Sequence, residues 1–392
     1  MFRYRTAGES HGPCLTVLIE GVPSGIEVTE EDINRDLARR QTGYGRGGRM
    51  AIEKDRVEMV GGVRWGKTTG APVAFLIRNS DWGNWKEGMS PDPVHRGSLP
   101  ALTKVRPGHA DYPGALKYRH DDARNVLERS SARETAGRVA AGALAKAALK
   151  VFEIRIGSFV TSIGGVEGEF GADFAENHSR AESSDLRMTD LDASHRARKL
   201  IEEARQEGDT LGGAFVCFAE GLPAGLGSHV SGQTRLDGRI AGALVSIPAV
   251  KAVEIGLGFK VATLKGSEVH DRIYPGGLLE LRRGMVKRRT NNAGGLEGGM
   301  TNGQILVIRG AMKPISTLLQ GLDSVNLGTL QPDRSDYERS DVCAVPAASV
   351  VAENVVAFEI ARAFLAKFGG DTLADVRAAY DHWSAAVRSL AP

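Results

Sequence analysis

A seven-residue phrase occurs twice in this chain, two hundred residues apart. EGVPSGI at residues 20–26 matches EGLPAGL at residues 220–226, and each copy follows an apolar run of the kind that forms strands. Chance recurrence of a strand that ends in a Gly-Pro turn is one explanation. The other is a protein built from two similar halves, roughly residues 1–200 and 201–392. We favour a single α+β unit over separable domains, because candidate site residues come from both halves.

The other secondary-structure signals mix helices and strands. Thr29 is placed to cap a helix that carries Ile33 and Leu37 on one face. Ser131 and Glu134 have capping-box spacing before a run rich in Ala and Gly, whose small side chains favour a buried, closely packed helix. Further predicted helices are 136–150, 193–207 and 347–368, and predicted strands are 14–19, 73–77, 154–161, 214–219 and 305–308. Their order does not give a repeated βαβ ladder.

Composition excludes several classes of protein. The 392 residues include 50 Lys and Arg against 48 Asp and Glu, and a net charge of +2 does not favour a general nucleic-acid binder. Cys14, Cys217 and Cys343 have no CxxC spacing and cannot all pair, which favours a reduced protein without structural zinc. We find no apolar signal core at residues 1–6 and no apolar run long enough to span a membrane. We expect a cytoplasmic protein with no metal, nucleic-acid or membrane partner.

Two phosphate-binding motifs match the sequence but not its context. GGVRWGKT at residues 61–68 fits the P-loop pattern, which needs a helix that begins at the Lys-Thr pair. Residues 69–77 read instead as a turn and a strand. GYGRGG at residues 43–48 fits the dinucleotide fingerprint, but it follows a predicted helix, and residues 49–53 look like the start of a strand. We therefore reject both motifs as nucleotide sites.

The second of these segments still has chemical content, because residues 38–52 hold four arginines and no acid. Three interpretations remain open: a solvated basic loop, an RNA-binding segment of the RGG type, and a clamp for an anionic ligand. The interleaved glycines favour the clamp, since they let arginine forks and backbone amides converge on one ligand. The four arginines are Arg39, Arg40, Arg46 and Arg49.

Four polar phrases place titratable side chains beside Gly, Ser or Arg. They are GESHG at residues 8–12, RPGHAD at 106–111, ERSSARE at 128–134 and RSDV at 339–342. Such surroundings suit close approach to an anionic ligand better than core packing. The third phrase is expected to open the small-residue helix, with exposed N–H groups. We interpret the set as an enzyme site for a phosphorylated substrate that carries several negative charges.

These phrases resemble, in order and over nearly the whole chain, the chorismate synthase family. GESHG followed by EGVP, ERSSARET, and RSDV with Pro346 and Glu353 resemble its three signatures. QTGYGRGGRM at 41–50, RPGHAD at 106–111, NAGGLEGG at 292–299 and KPIST at 313–317 also fit. The clearest departure is the long basic connection at residues 276–290, which puts local loop structure or assembly in doubt but not the chemistry.

The resemblance implies a carbon–oxygen lyase of the shikimate pathway, in aromatic amino-acid biosynthesis. It would convert 5-enolpyruvylshikimate 3-phosphate to chorismate and phosphate by a 1,4-anti elimination. Reduced FMN would be required although there is no net redox change, with NADPH as a possible flavin reductant. The implied fold is α+β, a helical core between antiparallel β-sheets with an internal pseudo-twofold repeat, formed by residues 1–392 as one domain. The implied assembly is a homotetramer.

The resemblance also implies roles for particular side chains. His11 would act as general acid on the departing phosphate, and His109 would protonate or hydrogen-bond the reduced flavin near N1. Asp341, working through Ser10, would accept a proton at flavin N5. A substrate with two carboxylates and a phosphate needs several arginines, because the planar guanidinium binds oxyanions with two N–H groups at once. Candidates for substrate or NADP are Arg40, Arg46, Arg49 and Arg106, with Arg133 and Arg339 as further substrate candidates.

Flavin contacts are expected at the remaining matching positions. Residues 131–133 stand at a predicted helix start, a natural anion site. The full set is Ser131, Ala132, Arg133, Pro248, Ala249, Gly298, Lys313, Pro314, Ile315, Ser316, Thr317 and Arg339. A flavin-binding protein without catalysis remains the alternative, and it would tolerate the loss of His11 or Asp341.

Overall fold

Two long helices lie between two antiparallel sheets. The computed structural model describes residues 1–47, 54–275, 286–338 and 340–389. Helices Thr135–Lys150 and Val345–Phe368 pack against each other, and each also packs on one of the sheets. The predicted α+β class, with a helical core between antiparallel sheets, is confirmed.

Strands and helices are interspersed along the described chain, with several runs of strands that no helix interrupts. The strands are β1 (Arg3–Ala7), β2 (Cys14–Glu20), β3 (Val57–Gly61), β4 (Val63–Arg64), β5 (Lys67–Thr68), β6 (Val73–Arg78), β7 (Arg155–Ile163), β8 (Val166–Glu167), β9 (Gly213–Glu220), β10 (Val250–Ile255), β11 (Ile273–Pro275), β12 (Val286–Arg288), β13 (Leu296–Glu297), β14 (Met300–Thr301), β15 (Leu306–Met312), β16 (Asp323–Val325) and β17 (Pro332–Arg334). The helices are α1 (Glu30–Gln41), α2 (Asp111–Tyr118), α3 (Arg124–Ser130), α4 (Thr135–Lys150), α5 (Phe174–Glu182), α6 (Leu191–Glu207), α7 (Leu236–Val245), α8 (Gly266–Val269), α9 (Val345–Phe368) and α10 (Leu373–Ser389). Short 3₁₀ turns cover Trp82–Asn84, Pro93–His95, Ala132–Glu134 and Gly258–Thr263.

The two large sheets repeat one topology. The first sheet has the order β1-β2-β6-β3, and the second contains β7-β9-β15-β10 in the corresponding order, with β8 added at the β7 edge. In each sheet the second strand ends in one copy of the repeated phrase. A long helix then follows each sheet, α4 after the first and α9 after the second. The division into halves at residues 1–200 and 201–392 stays a prediction, although β7 already lies in the second sheet.

The repeated phrase needs glycine at the same two places in both copies. Gly21 and Gly25 have φ values of 72° and 89°, and Gly221 and Gly225 have 77° and 84°. Side chains with a Cβ rarely adopt this left-handed region. The two copies of the repeated phrase therefore form the same turn conformation.

The contact between α4 and α9 is close because a glycine lies in it. A Cβ at Gly142 would lie 2.3 Å from the carbonyl oxygen of Asn354 on α9. The surrounding alanines of α4 are buried, as the small-residue pattern predicts. Backbones that approach this closely leave no room for larger side chains, so the two helices are fixed in register.

Helix boundaries confirm one predicted cap and correct another. Thr29 Oγ1 accepts from the backbone N–H of Asp32, whose carboxylate accepts from Thr29 N–H, as in a capping box. At the second predicted box, Ser131 Oγ accepts only from Arg133 N–H, at 3.4 Å, and Glu134 pairs instead with Arg138. The ERSSARE phrase also does not open a single helix. It spans the end of α3, a 3₁₀ turn and the approach to α4.

Both rejected nucleotide motifs form other structures. Residues 63–68 form the β4–β5 hairpin, directly after β3, and no helix begins at Lys67 or Thr68. The described part of the second motif, residues 43–47, is a loop after α1. The predicted strand start at residues 49–53 lies outside the described residues. The rejection of a P-loop is therefore confirmed by the local structure.

Candidate active site

A cavity of about 860 Å³ collects residues from both halves of the chain. Its walls come from the loop after β1, the turn between α3 and α4, the segment before α2, the start of β10, the end of β15 and the segment before α9. Predicted site residues that line it are Ser10, His11, Arg40, Arg46, Arg106, His109, Ser131, Ala132, Arg133, Pro248, Ala249, Lys313, Ile315, Ser316, Thr317 and Asp341. Residues 330 positions apart in sequence thus meet at one place.

His11 is held by a buried carboxylate and an aromatic ring. Its Nδ1 lies 2.9 Å and 3.0 Å from the two carboxylate oxygens of Glu128, and its backbone N–H donates to Oε2 of the same group at 2.8 Å. The indole of Trp85 stacks on the imidazole with ring centroids 3.8 Å apart. A carboxylate at Nδ1 favours a proton on that nitrogen, so Nε2 is the atom suited to proton exchange with a ligand.

Ser10 is joined to the turn that carries the predicted flavin contacts. Ser131 Oγ donates to Ser10 Oγ at 3.0 Å, and the backbone N–H of Ser10 donates to the carbonyl of Glu128 at 2.9 Å. The Asn79 side chain donates to the carbonyl oxygen of Gly12 on the other side of His11. These bonds fix the GESHG loop between β1 and β2 against the start of α4.

His109 belongs to a second cluster, with Arg106 and Asp111. Nδ1 of His109 lies 2.5 Å from Oδ1 of Asp111, and the Arg106 guanidinium donates to both carboxylate oxygens at 2.7 Å and 3.0 Å. Burial alone would raise the pKa of the Asp111 carboxyl, but hydrogen bonds from His109 and Arg106 hold that pKa well below its usual range. Arg106 also donates to Thr317 Oγ1 at 2.8 Å. The cluster therefore presents His109 to the cavity in a fixed orientation.

Asp341 is clamped by the arginine-rich loop after α1. The backbone N–H of Gly47 donates to Oδ1 at 2.7 Å, and Arg46 Nη1 lies 3.0 Å from Oδ2. The backbone N–H of Val342 donates to the carbonyl oxygen of Gly45 at 2.8 Å and joins the same two segments. Two residues of this loop, Arg46 and Gly47, line the cavity, so its described part is not a freely solvated basic loop.

Asp55 is a further buried carboxylate of the site, and it pairs with two of the predicted arginines. Arg40 Nη1 lies 3.3 Å from Oδ2, and Arg133 Nη1 donates to Oδ1 at 2.9 Å. Arg40 also donates to Thr135 Oγ1 and to the carbonyl of Ala132, both at 2.9 Å. These bonds hold both guanidinium groups beside the start of α4, where the helix N-terminus adds positive potential.

The cavity lining is strongly cationic. Nine Lys and Arg side chains line it against three carboxylates. Burial lowers the pKa of the Lys313 ammonium, and the neighbouring charge of Lys251 lowers it further. Lys313 Nζ also donates to the carbonyl oxygen of Gly108 at 3.0 Å. The cations are Arg5, Arg40, Arg46, Arg106, Arg129, Arg133, Arg138, Lys251 and Lys313, and the carboxylates are Glu134, Glu338 and Asp341. Such a lining favours a ligand with several negative charges.

A few predicted positions fall elsewhere. Pro314 does not line the cavity, although its neighbours on both sides do. Gly298 lies in the turn between β13 and β14 and is also not part of the lining. Arg49 and Arg339 lie outside the described residues, as do residues 276–285 of the basic connection. Roles predicted for these positions stay predictions.

Four residues of the site had no role in the sequence prediction. Glu128 and Asp111 lay inside quoted phrases, yet nothing local marked them as partners of the histidines. Asp55 and Trp85 gave no signal at all, because their partners are distant in sequence. Glu128 could have been found only by recognising that a buried acid in a helix needs a cationic or N–H partner.

No group of three or more His, Cys, Asp or Glu side chains within the described ranges could hold a metal ion. In the same ranges, none of the helices combines the length and the apolar character needed to cross a membrane.

Comparison with known proteins identifies the family of this chain. The sequence profile of the chorismate synthase family matches residues 2–365. Chorismate synthase of Geobacter sulfurreducens is 54% identical over 394 aligned positions and all of both chains, and that of Shouchella clausii is 52% identical over 99% of this chain and all of the relative. A crystal structure of a chorismate synthase superposes with a TM-score of 0.79 at 40% identity, covering 99% of this chain and 98% of the other. This chain belongs to the chorismate synthase family and is a carbon–oxygen lyase.

Proposed function

We propose that this lyase converts 5-enolpyruvylshikimate 3-phosphate to chorismate and phosphate, with reduced FMN bound in the same cavity. The substrate carries two carboxylates and a phosphate, which matches the excess of cationic side chains in the lining. The volume of about 860 Å³ is near the upper end of the range of about 300–1,000 Å³ for small-molecule sites, which supports joint binding of cofactor and substrate. The convergence of His11, His109 and Asp341 in this cationic cavity carries the proposal.

The residues present fit a flavin mononucleotide. Lys313 and the hydroxyls of Ser316 and Thr317 offer donors for its phosphate and ribityl oxygens, and the 3₁₀ turn after Ser131 lines the same cavity. Pro248 and other apolar residues of the lining suit an isoalloxazine ring; they include Ala249, Met312 and Ile315. Bound in the reduced form, the flavin would supply an electron-rich ring that assists departure of phosphate without net redox change.

Elimination breaks one C–H bond and one C–O bond, and the ring gains a double bond. The phosphate leaves with the electron pair of the C–O bond and is a poor leaving group as a dianion. With Nδ1–H held by Glu128, the doubly protonated imidazole of His11 would donate its Nε2 proton to that phosphate and stabilise it, and would return to the form that carries a proton on Nδ1 alone. His109, oriented by Asp111, would donate its other N–H toward the flavin near N1.

The substrate also loses a hydrogen when its C–H bond breaks, and the site must hold a group that accepts the proton. Asp341 would accept the proton, with Ser10 as the relay. Gly47 and Arg46 hold the carboxylate in place, and the Ser131 hydroxyl holds Ser10. A carboxylate and a hydroxyl that are both fixed at the wall of one cavity suit such a proton transfer.

An anaerobic assay tests the proposal directly. Purified protein receives 5-enolpyruvylshikimate 3-phosphate and chemically reduced FMN, and chorismate absorbance and phosphate release are followed together. We expect equal amounts of both products. A folded protein that binds FMN and forms neither product would favour the flavin-binding alternative.

Three further features are proposed with the activity: reduction of the flavin by NADPH and a homotetramer, which rest on the family resemblance, and a cytoplasmic location. Oxidised FMN with NADPH in the same assay would show whether this chain reduces its own flavin. A homotetramer is expected, and light scattering of the purified protein would test it. Cell fractionation would test the expected cytoplasmic location.

A further inference from the structure

The Glu128 carboxylate encloses one edge of His11. It is 2% exposed and lies at the end of α3, 117 positions from His11 in sequence. One oxygen accepts from the backbone N–H of His11, and both oxygens lie within 3.0 Å of Nδ1. Burying a carboxylate without compensating partners is costly, and at Glu128 the shortest contacts that offset this cost come from His11.

Trp85 fixes the plane of the same ring. Its indole lies almost parallel to the imidazole, with an angle of 24° between the planes. The indole N–H donates to Asp81 Oδ2 at 3.1 Å, which holds the tryptophan from behind. Arg124 approaches both partners, with Nη1 3.6 Å from Glu128 and its guanidinium 5.5 Å from the Trp85 ring. The imidazole is therefore held by its edge and by its face.

We propose that Glu128 is a positioning residue that sets the tautomer and the orientation of His11, while Trp85 fixes the plane of the ring. An imidazole can carry its proton on either nitrogen, and the group bonded to one nitrogen decides the state of the other. Glu128 holds one proton on Nδ1, so that Nε2 is the nitrogen that takes up a second proton and delivers it to the ligand. The catalytic consequence rests on the proposed function, in which His11 assists phosphate departure; the tautomer itself does not.

If Glu128 only stabilised the fold, a different outcome would be expected. Glu128 also accepts from a backbone N–H and lies near Arg124, so its loss would lower thermal stability in either case. A residue with a purely structural role would affect activity only through the amount of folded protein. A positioning residue would lower kcat of the folded enzyme and leave KM nearly unchanged, because it acts on proton transfer and not on binding.

Glu128→Gln separates these outcomes. The amide oxygen keeps the bond from His11 N–H, which turns the NH₂ toward Nδ1 as a donor and favours the opposite tautomer. We expect kcat to fall at least about tenfold with KM within about twofold, and Glu128→Asp to retain more activity than Glu128→Gln. The matched control is Glu359→Gln, which removes a half-buried carboxylate paired with Arg239 outside the cavity and should leave kcat unchanged.

Nitrogen-15 spectra of the histidine rings give a readout that needs no substrate. His11 signals are assigned by their absence in His11→Gln. We expect a proton on Nδ1 in the wild-type protein and on Nε2 in Glu128→Gln, with broadened signals in Trp85→Leu as the ring gains freedom. An unchanged tautomer in Glu128→Gln, or a kcat within about twofold of wild type, would overturn the proposal. An inactive wild type would sink the proposed function instead, and the spectra would still decide the role of Glu128.

Discussion

Thr68 and Thr301 make the same hydrogen bonds in the two halves of the molecule. The Thr68 hydroxyl donates to the carbonyl of Pro23 at 2.6 Å and accepts from Ile26 N–H at 2.9 Å. The Thr301 hydroxyl donates to the carbonyl of Pro223 at 2.6 Å and accepts from Leu226 N–H at 2.8 Å. Each threonine closes one copy of the repeated phrase against a short hairpin, so the repeat extends beyond the sequence echo.

Replacing either threonine by valine should therefore have the same effect. Both side chains are 3% exposed, and each substitution leaves a buried carbonyl and a buried N–H without a partner. We expect each variant to lose about 1–3 kcal/mol of unfolding free energy. Urea unfolding of Thr68→Val and Thr301→Val would measure it, with Thr263→Val, at an exposed position, as the control. A loss in only one of the two would show that the halves are not equivalent at this position.

Local sequence signals predicted the elements better than the site. Thr29 caps the start of α1 as predicted, and the helix predicted at 193–207 ends at Glu207 before Gly208, because a hydroxyl cap and a left-handed glycine act within one turn. The Ser131–Glu134 prediction was wrong because Glu134 has a stronger partner in Arg138 one turn later. Thr68 belonged to a phrase that looked like a phosphate loop, yet its hydroxyl is used in folding. The hydrogen bond between Glu128 and His11 forms only when distant segments meet in the folded protein, so no local sequence pattern predicts it.

Gly142 should be intolerant of even one additional carbon atom. An alanine there would place its Cβ against the backbone of Asn354, which cannot move without shifting α9. Overpacking of this kind costs about 1–3 kcal/mol. Gly242→Ala on α7 is the matched control, since nothing lies within 4 Å of the added atom and alanine favours a helix. Thermal unfolding should show a lower Tm for Gly142→Ala and an equal or higher Tm for Gly242→Ala; equal losses would contradict the close contact.

A buried ionic cluster between the long helices should matter for stability and not for chemistry. Glu353 accepts from Arg39 at 2.8 Å and 2.9 Å, from Ser158 Oγ at 2.8 Å, and from Lys146. Burial opposes ionisation, but the charges of Lys146 and Arg39 hold the pKa of the Glu353 carboxyl well below its usual range.

Glu353→Gln would leave those two cations buried with less negative charge beside them. We expect a loss of about 3–5 kcal/mol in unfolding free energy, as for other broken buried pairs. Glu58→Gln removes an exposed partner of Arg78 and should change little. Denaturant titration gives the comparison, and kcat of the folded Glu353→Gln fraction should stay near wild type. An unchanged midpoint would show that the cluster contributes nothing net.

His11 and Asp341 should be required for turnover and not for folding. Each lines the cavity, and the proposed chemistry needs one to donate and the other to accept a proton. We expect His11→Ala and Asp341→Ala to lower the rate of chorismate formation at least about a hundredfold. The exposed His229→Ala serves as the control. Near-full activity in both site variants would refute the assigned roles while leaving the family assignment intact.

Asp111 should make the stability of the protein depend on pH in the acid range. Its pKa is lowered in the folded state relative to about 3.9 in an unfolded chain, because His109 and Arg106 favour the charged form despite burial. A depressed pKa contributes stability that is fully present above the unfolded value and is lost as pH falls below it.

The difference in Tm between wild type and Asp111→Asn should therefore be large at pH 7 and shrink below about pH 4. Asp121→Asn, at an exposed position, should show no such trend. A Tm difference that stayed constant from pH 7 to pH 3 would mean that Asp111 contributes through packing alone, and that its charge does not hold the His109 cluster together.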